Sequence, residues 1–331
     1  MDIQQIISLC HSPVLTEVYG YEERIETHSA WILLCNAYVF KIKKPVKFRF
    51  LDYSELSKRK FYCEEELRLN SRFAPKVYIK VLPITVHNNS YHIGDDNKRI
   101  IDYAVMMRRL KDSCFLSNIY KCGLSIKTSE LQLLAAQIGS IHKASDICSQ
   151  FDYNKLAHRL NQVLELEDDI YKVFGVSGTN LIEAVTHTSN RFLSTHKAVF
   201  SERLARHFIR GVHGDLHTGN IHMSNRHISI IDCIEFNANY RNIDLLDDIA
   251  AILVDFDLFS RVDDANTFLT SYNKQLNAPH FFNQRLLNYY KMQRAVTRFS
   301  VCLLDKTNSK NTECAYGYYT LIKNYLKLLH I

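Results

Sequence analysis

The spacing of apolar residues changes period once along this chain, near Leu110, and that change restricts the fold more than any other feature. Upstream, runs rich in β-branched and aromatic residues dominate. Residues 21–43, YEERIETHSAWILLCNAYVFKIK, read as antiparallel strands with a turn at Cys35-Asn36. KVYIKVLPITV, SYHIGD and RIIDYAVMMRRL are further strand-like runs. Between these groups, DYSELSKRKFYCEEELRLNSRF carries an Asp-x-x-Glu capping pattern from Asp52 to Glu55, lacks Gly and Pro, and stops before Pro75, which predicts one long helix. Its face with Tyr62, Leu69 and Phe73 also carries Glu66, so one carboxylate points inward. Downstream, helical periodicity continues nearly to the end. TSELQLLAAQIGSIHKAS sets Leu131, Leu134, Ala135, Ile138 and Ile141 on one stripe, and helices are expected near 153–173, 179–209, 245–258, 263–275, 281–303 and 312–330. The exception is the region around 213–236, where NIH and ISIIDC read as short strands among helices.

These elements predict an α+β chain of two lobes, with an antiparallel sheet and one long helix over 1–108 and a larger, mainly helical lobe over 109–331. The length of 331 residues agrees, because single cores rarely grow beyond about 250–300 residues. A hydrophobic fraction of 47% against 23% charged excludes a disordered chain. The net charge of +6 is too small for wholesale nucleic-acid binding, though local basic patches can still hold phosphate. Nine cysteines, odd in number and never spaced C-x-x-C, argue against a zinc site or a disulfide framework and for a reducing compartment. The start, MDIQQIISLC, has no basic leader, and no apolar run approaches the roughly 18 residues that span a bilayer, so the expectation is a cytoplasmic protein.

Within the exceptional region, HGDLHTGNIH (213–222) is followed by SIIDCIEF (229–236). Asp215 precedes Asn220 by five residues and follows His213 by two, the H-x-D-x-x-x-x-N layout of a kinase catalytic loop. Phosphoryl transfer needs a carboxylate to accept the hydroxyl proton, an amide oxygen on the metal, and a further metal-binding carboxylate, for which Asp232 is placed. In the sheet half, Lys41 sits where an ammonium can hold the α- and β-phosphates, with Glu66 as its ion-pair partner. Lys43 shares its strand parity, and Lys41 against Lys43, like Glu66 against Glu64, stays open at this point. Thr27, His28 and Ser29 occupy the place of a phosphate-covering loop without its glycines. Glu235 is a further carboxylate near the cation. The competing readings of the histidines are a metal cluster, whose zinc spacing is unmatched, and a plain polar loop. Gly214 and Gly219 imitate a Walker loop, but Asn220 and Ile221 follow in place of Lys and Ser or Thr. Lys291, Arg294 and Arg298 share a helix face and either pair with acids of their own lobe or recognise an anionic substrate. Phe281, Phe282, Tyr289 and Tyr290 read as core.

HGDLHTGN with IIDCIEF resembles the aminoglycoside phosphotransferase and choline kinase group, which has the protein-kinase-like fold. Through ETHSAWILL, FKIKKPVKFRFLDYS, CEEELRLNSRFAP, YAVMMRRL, DCIEFN, RNIDLLDDIAAILVD and YYKMQRAVTR, it further resembles a bacterial branch of uncharacterised phosphotransferase-like proteins. The resemblance implies ATP-dependent, Mg2+-assisted transfer of a phosphoryl group to a small-molecule hydroxyl. It implies Asp215 as base, Asn220 and Asp232 on the metal, Lys41 with Glu66 on phosphate, and adenine near Val105, Met106 and Met107. His213 then supports the loop, His217 lies close enough to touch substrate or metal-bound water, and Asp248 braces the loop. The chain departs from the pattern in lacking the DFG triplet, since Cys233, Ile234 and Glu235 follow Asp232, and in lacking the branch's Lys near Ser300. That branch often continues into a P-loop ATPase domain, for which residues up to Ile331 hold no counterpart. Two alternatives accompany this reading. One is a non-catalytic nucleotide-binding module that regulates a partner protein, and the other is a kinase whose acceptor hydroxyl lies on a macromolecule.

Overall fold

The computed structural model describes residues 1–49, 51–88, 90–95, 97–224, 227–304 and 310–329. By its contacts the chain divides into two compact units, Met1–Cys122 with Gly219–Arg241, and Gly123–Thr218 with Asn242–Ile331.

The first unit begins with helix α1 (Ile3–Cys10), whose N-terminus is closed by a reciprocal Asp2 and Gln5 capping box. A six-stranded antiparallel sheet follows, built from β1 (Tyr21–Glu26), β2 (Ala30–Cys35), β3 (Tyr38–Lys43), β4 (Tyr78–His87), β5 (Ser90–Ile93) and β6 (Arg99–Arg108) in the order β1-β2-β3-β6-β4-β5. The turn after Cys35 and the three later strands fall where the apolar pattern put them. Strand parity then decides which side chains go where. Phe40 and Ile42 of β3 join Trp31, Leu33, Ile84 and Ala104 in the core beneath α1. Lys41 and Lys43 alternate with them and point to the opposite face.

That opposite face is covered by helix α2 (Leu56–Asn70). Cys63 of α2 packs with Val77, Tyr78 and Val105, while Glu66 and Leu69 are buried as the helical spacing predicts. The expected cap does not form. Helix α2 begins one turn later than expected, with Glu55 at its N-cap and no side-chain bond there. Asp52 instead accepts from Ser54 N at 3.1 Å and Ser54 Oγ at 2.6 Å and pairs with Lys58 at 2.8 Å. A short polar side chain thus satisfies its own following turn in preference to the helix end.

Residues 219–241 belong with this sheet, not with the helices, and residues 109–122 do as well, whereas the sequence expectation set one boundary after residue 108. The strands Ile221–Ser224 and His227–Ile230 pair antiparallel. The segment beyond them is pinned by Tyr78 Oη, which accepts from Asp232 N at 3.1 Å, and by Asn70 Oδ1, which accepts from Cys233 N at 2.8 Å.

The second unit is helical. Its main elements are α3 (Thr128–Ala144), α4 (Val176–Thr195), α5 (Leu245–Leu258), α6 (Val262–Leu276), α7 (Gln284–Leu304) and α8 (Lys310–Leu329). Every residue of α5 from Leu245 to Phe256 is buried, the signature of a helix at the centre of a unit. The helix expected over 179–209 breaks at His196 and ends at Ala205. His207 takes a left-handed φ of 59°, and Ile209–Gly211 becomes a short strand against Asn242–Asp244. On α3 the buried stripe contains His142, with Ile141 half-buried, and Phe282 is exposed instead of core. Among the described residues no helix is long and apolar enough to cross a membrane.

Candidate active site

In the first unit, Lys41 is held between two carboxylates. Its Nζ lies 2.9 Å from Glu66 Oε1 and donates to Asp232 Oδ1 at 2.7 Å. The contact with Glu66 is a charge contact outside hydrogen-bond alignment. Lys43 makes the aligned bond to Glu66 Oε2 at 2.6 Å. Glu66 therefore serves both lysines, and the choice between Lys41 and Lys43 resolves into two roles. Lys43 is sealed in. It also reaches Glu235 Oε1, which accepts from Tyr53 OH at 2.6 Å, and the lysine ammonium lies 4.8 Å from the Tyr53 ring. Lys41 is the lysine whose second partner, Asp232, has a side chain 52% exposed.

The electrostatics follow from this arrangement. Burial opposes a charged Glu66, but Lys41 and Lys43 outweigh it and draw the carboxyl down to about 2. Burial likewise opposes both ammonium groups. Asp232 and Glu66 hold Lys41 well above its usual value, and Glu235 and Glu66 do the same for Lys43. Glu235, expected near a cation, is instead committed to a buried cluster with Lys43 and Tyr53. The sequence signal for that cluster was the Lys43 parity, but the aromatic member, Tyr53, was not identified.

Asp232 sits at a left-handed φ of 65°, a conformation usually left to glycine. Its main-chain bond to Tyr78 holds it there. Asn220 is buried, and its carbonyl accepts from Ile231 N at 2.9 Å, so the strand ends carrying Asn220 and Asp232 are tied together. Among the described residues no three His, Cys, Asp or Glu side chains are grouped to hold a metal ion. An amide oxygen and an exposed carboxylate are donor types that suit a hard cation taking its other ligands from water and phosphate.

The remaining nucleotide candidates divide. Thr27, His28 and Ser29 form the β1–β2 turn, where Thr27 Oγ1 accepts from Ala30 N at 2.9 Å and Lys44 Nζ donates to Thr27 O at 2.6 Å. Val105, Met106 and Met107 lie inside β6, paired with β3 on one side and β4 on the other. Their main-chain groups lie within the sheet, and at and just beyond the strand end Arg108 N still donates to Val77 O at 2.8 Å and Arg109 N to Ala37 O at 2.9 Å. Arg109 itself is structural, pairing with Glu22 and donating to Cys35 O at 2.9 Å.

In the second unit, the HGD turn is braced from three sides. Gly214 has a φ of 86°, which requires glycine. Asp248 Oδ1 accepts from Gly214 N at 2.8 Å and Oδ2 from His213 N at 3.3 Å. Arg294 donates to Gly214 O at 2.6 Å while pairing with Asp247 at 2.7 Å. Asp248 is in turn held by His142 Nε2 at 3.0 Å, whose Nδ1 lies 2.8 Å from Tyr272 OH. His213 is fully buried, with Nδ1 3.3 Å from Asp215 N, which suits support of the turn. Asp215 is partly exposed, and His217 Nε2 lies 3.5 Å from its Oδ2. Burial opposes its ionisation, but His217, then Arg298 and His213, hold the carboxyl well below the usual range. This carboxylate is ionised at any ordinary pH.

One brace had no sequence signal. Asp255 Oδ2 accepts from Thr218 N at 2.8 Å and Thr218 Oγ1 at 2.5 Å, and Asp255 Oδ1 accepts from Tyr318 OH at 3.2 Å. On α7, Lys291 pairs with Asp257 and Arg294 with Asp247, the structural of the two readings for that face. Arg298 stands beside Tyr318 and Asp215, two residues before Ser300.

No protein-family model matches the chain. Uncharacterised proteins of Mycobacterium bovis and Mycobacterium tuberculosis are 28% identical to it over 281 residues, 83% of this chain and 53% of theirs. The chain thus spans about half the length of these curated relatives. Among solved structures, a choline kinase from Cryptosporidium parvum matches with a TM-score of 0.60 at 15% identity, covering 99% of this chain and 96% of that one. A microcompartment-associated aminopropanol kinase matches at 0.58 and 13%, covering 98% and 97%. A wild-type aminoglycoside 2'-phosphotransferase matches at 0.51 and 10%, covering 99% of each. The chain has the α+β, two-lobe, protein-kinase-like fold that these kinases share.

Proposed function

We propose that this protein is a phosphotransferase that moves the γ-phosphoryl group of ATP to a hydroxyl of a small molecule. The observation that carries this reading is Lys41 held between Glu66 and Asp232 on a kinase-like fold. In the proposed reaction Lys41 binds the α- and β-phosphates, with Glu66 keeping its ammonium in place. The acceptor oxygen attacks the γ-phosphorus, its proton passes to an Asp215 carboxylate oxygen, and ADP leaves. Asn220 and Asp232 would hold Mg2+, which supplies charge neutralisation on the phosphate oxygens when bound. Thr27, His28 and Ser29 cover the phosphates, and the base lies against the chain leaving β6. His217 orients Asp215, and His213 supports the turn. The kinds of acceptor named for the similar structures, choline, aminopropanol and aminoglycoside, favour an amino alcohol or a sugar over a macromolecule.

The test is transfer of labelled phosphate from ATP to a panel of amino alcohols, polyols and aminoglycosides. Asp215→Asn is expected to lose about 10²- to 10⁴-fold in turnover while nucleotide binding persists. Unchanged turnover in that variant would remove Asp215 from its role, and absence of any labelled acceptor with intact ATP binding would favour a regulatory module.

A further inference from the structure

None of the nine cysteines is in a disulfide bond, and Cys10, Cys35, Cys63 and Cys233 are buried. Cys302 and Cys314 differ. Both are partly exposed, and their sulfurs lie 2.8 Å apart, Cys302 on α7 and Cys314 on α8. A disulfide bond is about 2.05 Å long, so little closure is needed. The approach is also a property of helix register. Four residues before Cys302 on α7 stands Arg298, and four residues after Cys314 on α8 stands Tyr318, to which Arg298 bonds. The two contacts are successive rungs of one antiparallel helix pair, so the sulfur pair is held by the same packing that sets the Arg298 and Tyr318 contact.

We infer that Cys302 and Cys314 form a dithiol modification site that is oxidised to an intramolecular disulfide by a low-molecular-weight disulfide such as oxidised glutathione. In the first step the thiolate of one cysteine attacks a sulfur of the reagent, forming a mixed disulfide and releasing one glutathione thiolate. In the second step the thiolate of the other cysteine attacks the protein sulfur of that mixed disulfide, closing the bond and releasing the second glutathione. The protein loses two electrons, the reagent gains them, and the two thiol protons end on the two released glutathiones. The bond straps α7 to α8 one turn from Tyr318, whose hydroxyl holds Asp255 and through it Thr218 of the HGD loop. The expectation of no disulfide framework rested on spacing along the chain, which does not report two cysteines twelve residues apart that face each other across two helices.

The site is tested on the full chain incubated with oxidised glutathione, then alkylated and digested with trypsin. Lys306 and Lys310 lie between the two cysteines, so their peptides separate unless the sulfurs are joined. The expected result is a linked peptide pair containing Cys302 and Cys314 that disappears on reduction and is lost in Cys302→Ser and in Cys314→Ser. Separate glutathione adducts on both cysteines, free alkylated thiols at both, or a link from either one to a different cysteine would each overturn the proposal. The readout does not depend on any enzymatic activity.

Discussion

Glu66 shows how much one carboxylate carries at the residue scale. Its ordinary value of 4.5 falls to about 2 in the folded protein. A depressed carboxyl contributes stability that is complete above its unfolded value and is lost as the pH falls through the folded one. The window here is therefore pH 4.5 down to about 2, with an effect on the order of 3 kcal/mol. Chemical denaturation at pH 7 and at pH 3 should show wild type losing stability between the two. Glu66→Gln should be less stable at pH 7 by roughly 3 kcal/mol, because two buried ammonium groups lose their shared partner, and should lose less than wild type over that range. An equal pH dependence in both proteins would show that Glu66 does not carry it. Sequence reasoning found Glu66 and Lys41 because helix period and strand parity are strict geometric rules. It could not apportion Lys41 and Lys43, since one carboxylate with two oxygens can serve both and nothing in a linear pattern records that.

At the scale of elements, the HGD loop is rigid because three different helices hold it. Asp248 and Asp255 come from α5, Arg294 from α7 and Tyr318 from α8. A hydrogen bond to a charged acceptor is worth about 1.5–3 kcal/mol. Thr218→Val removes one such bond to Asp255 and should lower turnover about 10- to 100-fold while leaving the KM for ATP unchanged, since the nucleotide contacts proposed for Lys41 belong to another part of the chain. A fall in ATP affinity with turnover preserved would refute that division of labour. Asp248 was legible as a brace only through the family resemblance that LLDDIAAIL helps to carry. Asp255 was not, because on a helix buried all round every polar residue looks equally out of place until its partner is seen. The same limit explains Ile209–Gly211, where three residues are too few to show a period and the strand exists only because Asn242–Asp244 pairs with it.

At the scale of the whole molecule, the division into a sheet-bearing and a helical unit was readable from the change of period near Leu110, because strands and helices bury their apolar residues at different spacings. The return of residues 219–241 to the sheet unit was not, since it depends on Tyr78 and Asn70, distant in sequence, capturing the main chain of Asp232 and Cys233. Asp215 and Asn220 are thus five residues apart in sequence but belong to different units. Nucleotide binding and chemistry should accordingly separate on mutation. ATP with Mg2+ at about a hundred times its Kd stabilises a protein by roughly 2.7 kcal/mol. A thermal shift of that origin should survive in Asp215→Asn and vanish in Asp232→Ala. Loss of the shift in both would indicate that the two units do not act separately.

The contact of His142 with Asp248 and Tyr272 has a bearing on heredity. All three side chains are fully buried, so a change at one leaves a polar atom of another without a partner and without water. The penalties cannot simply add: once Asp248 is replaced, the further replacement of His142 removes an atom already stranded. The double variant His142→Leu with Asp248→Ala should be less destabilised than the sum of its single variants, measured by denaturant titration. Lineages descended from this chain would then change these positions together or keep them all, and the order in which the substitutions arrive would decide which of them survive.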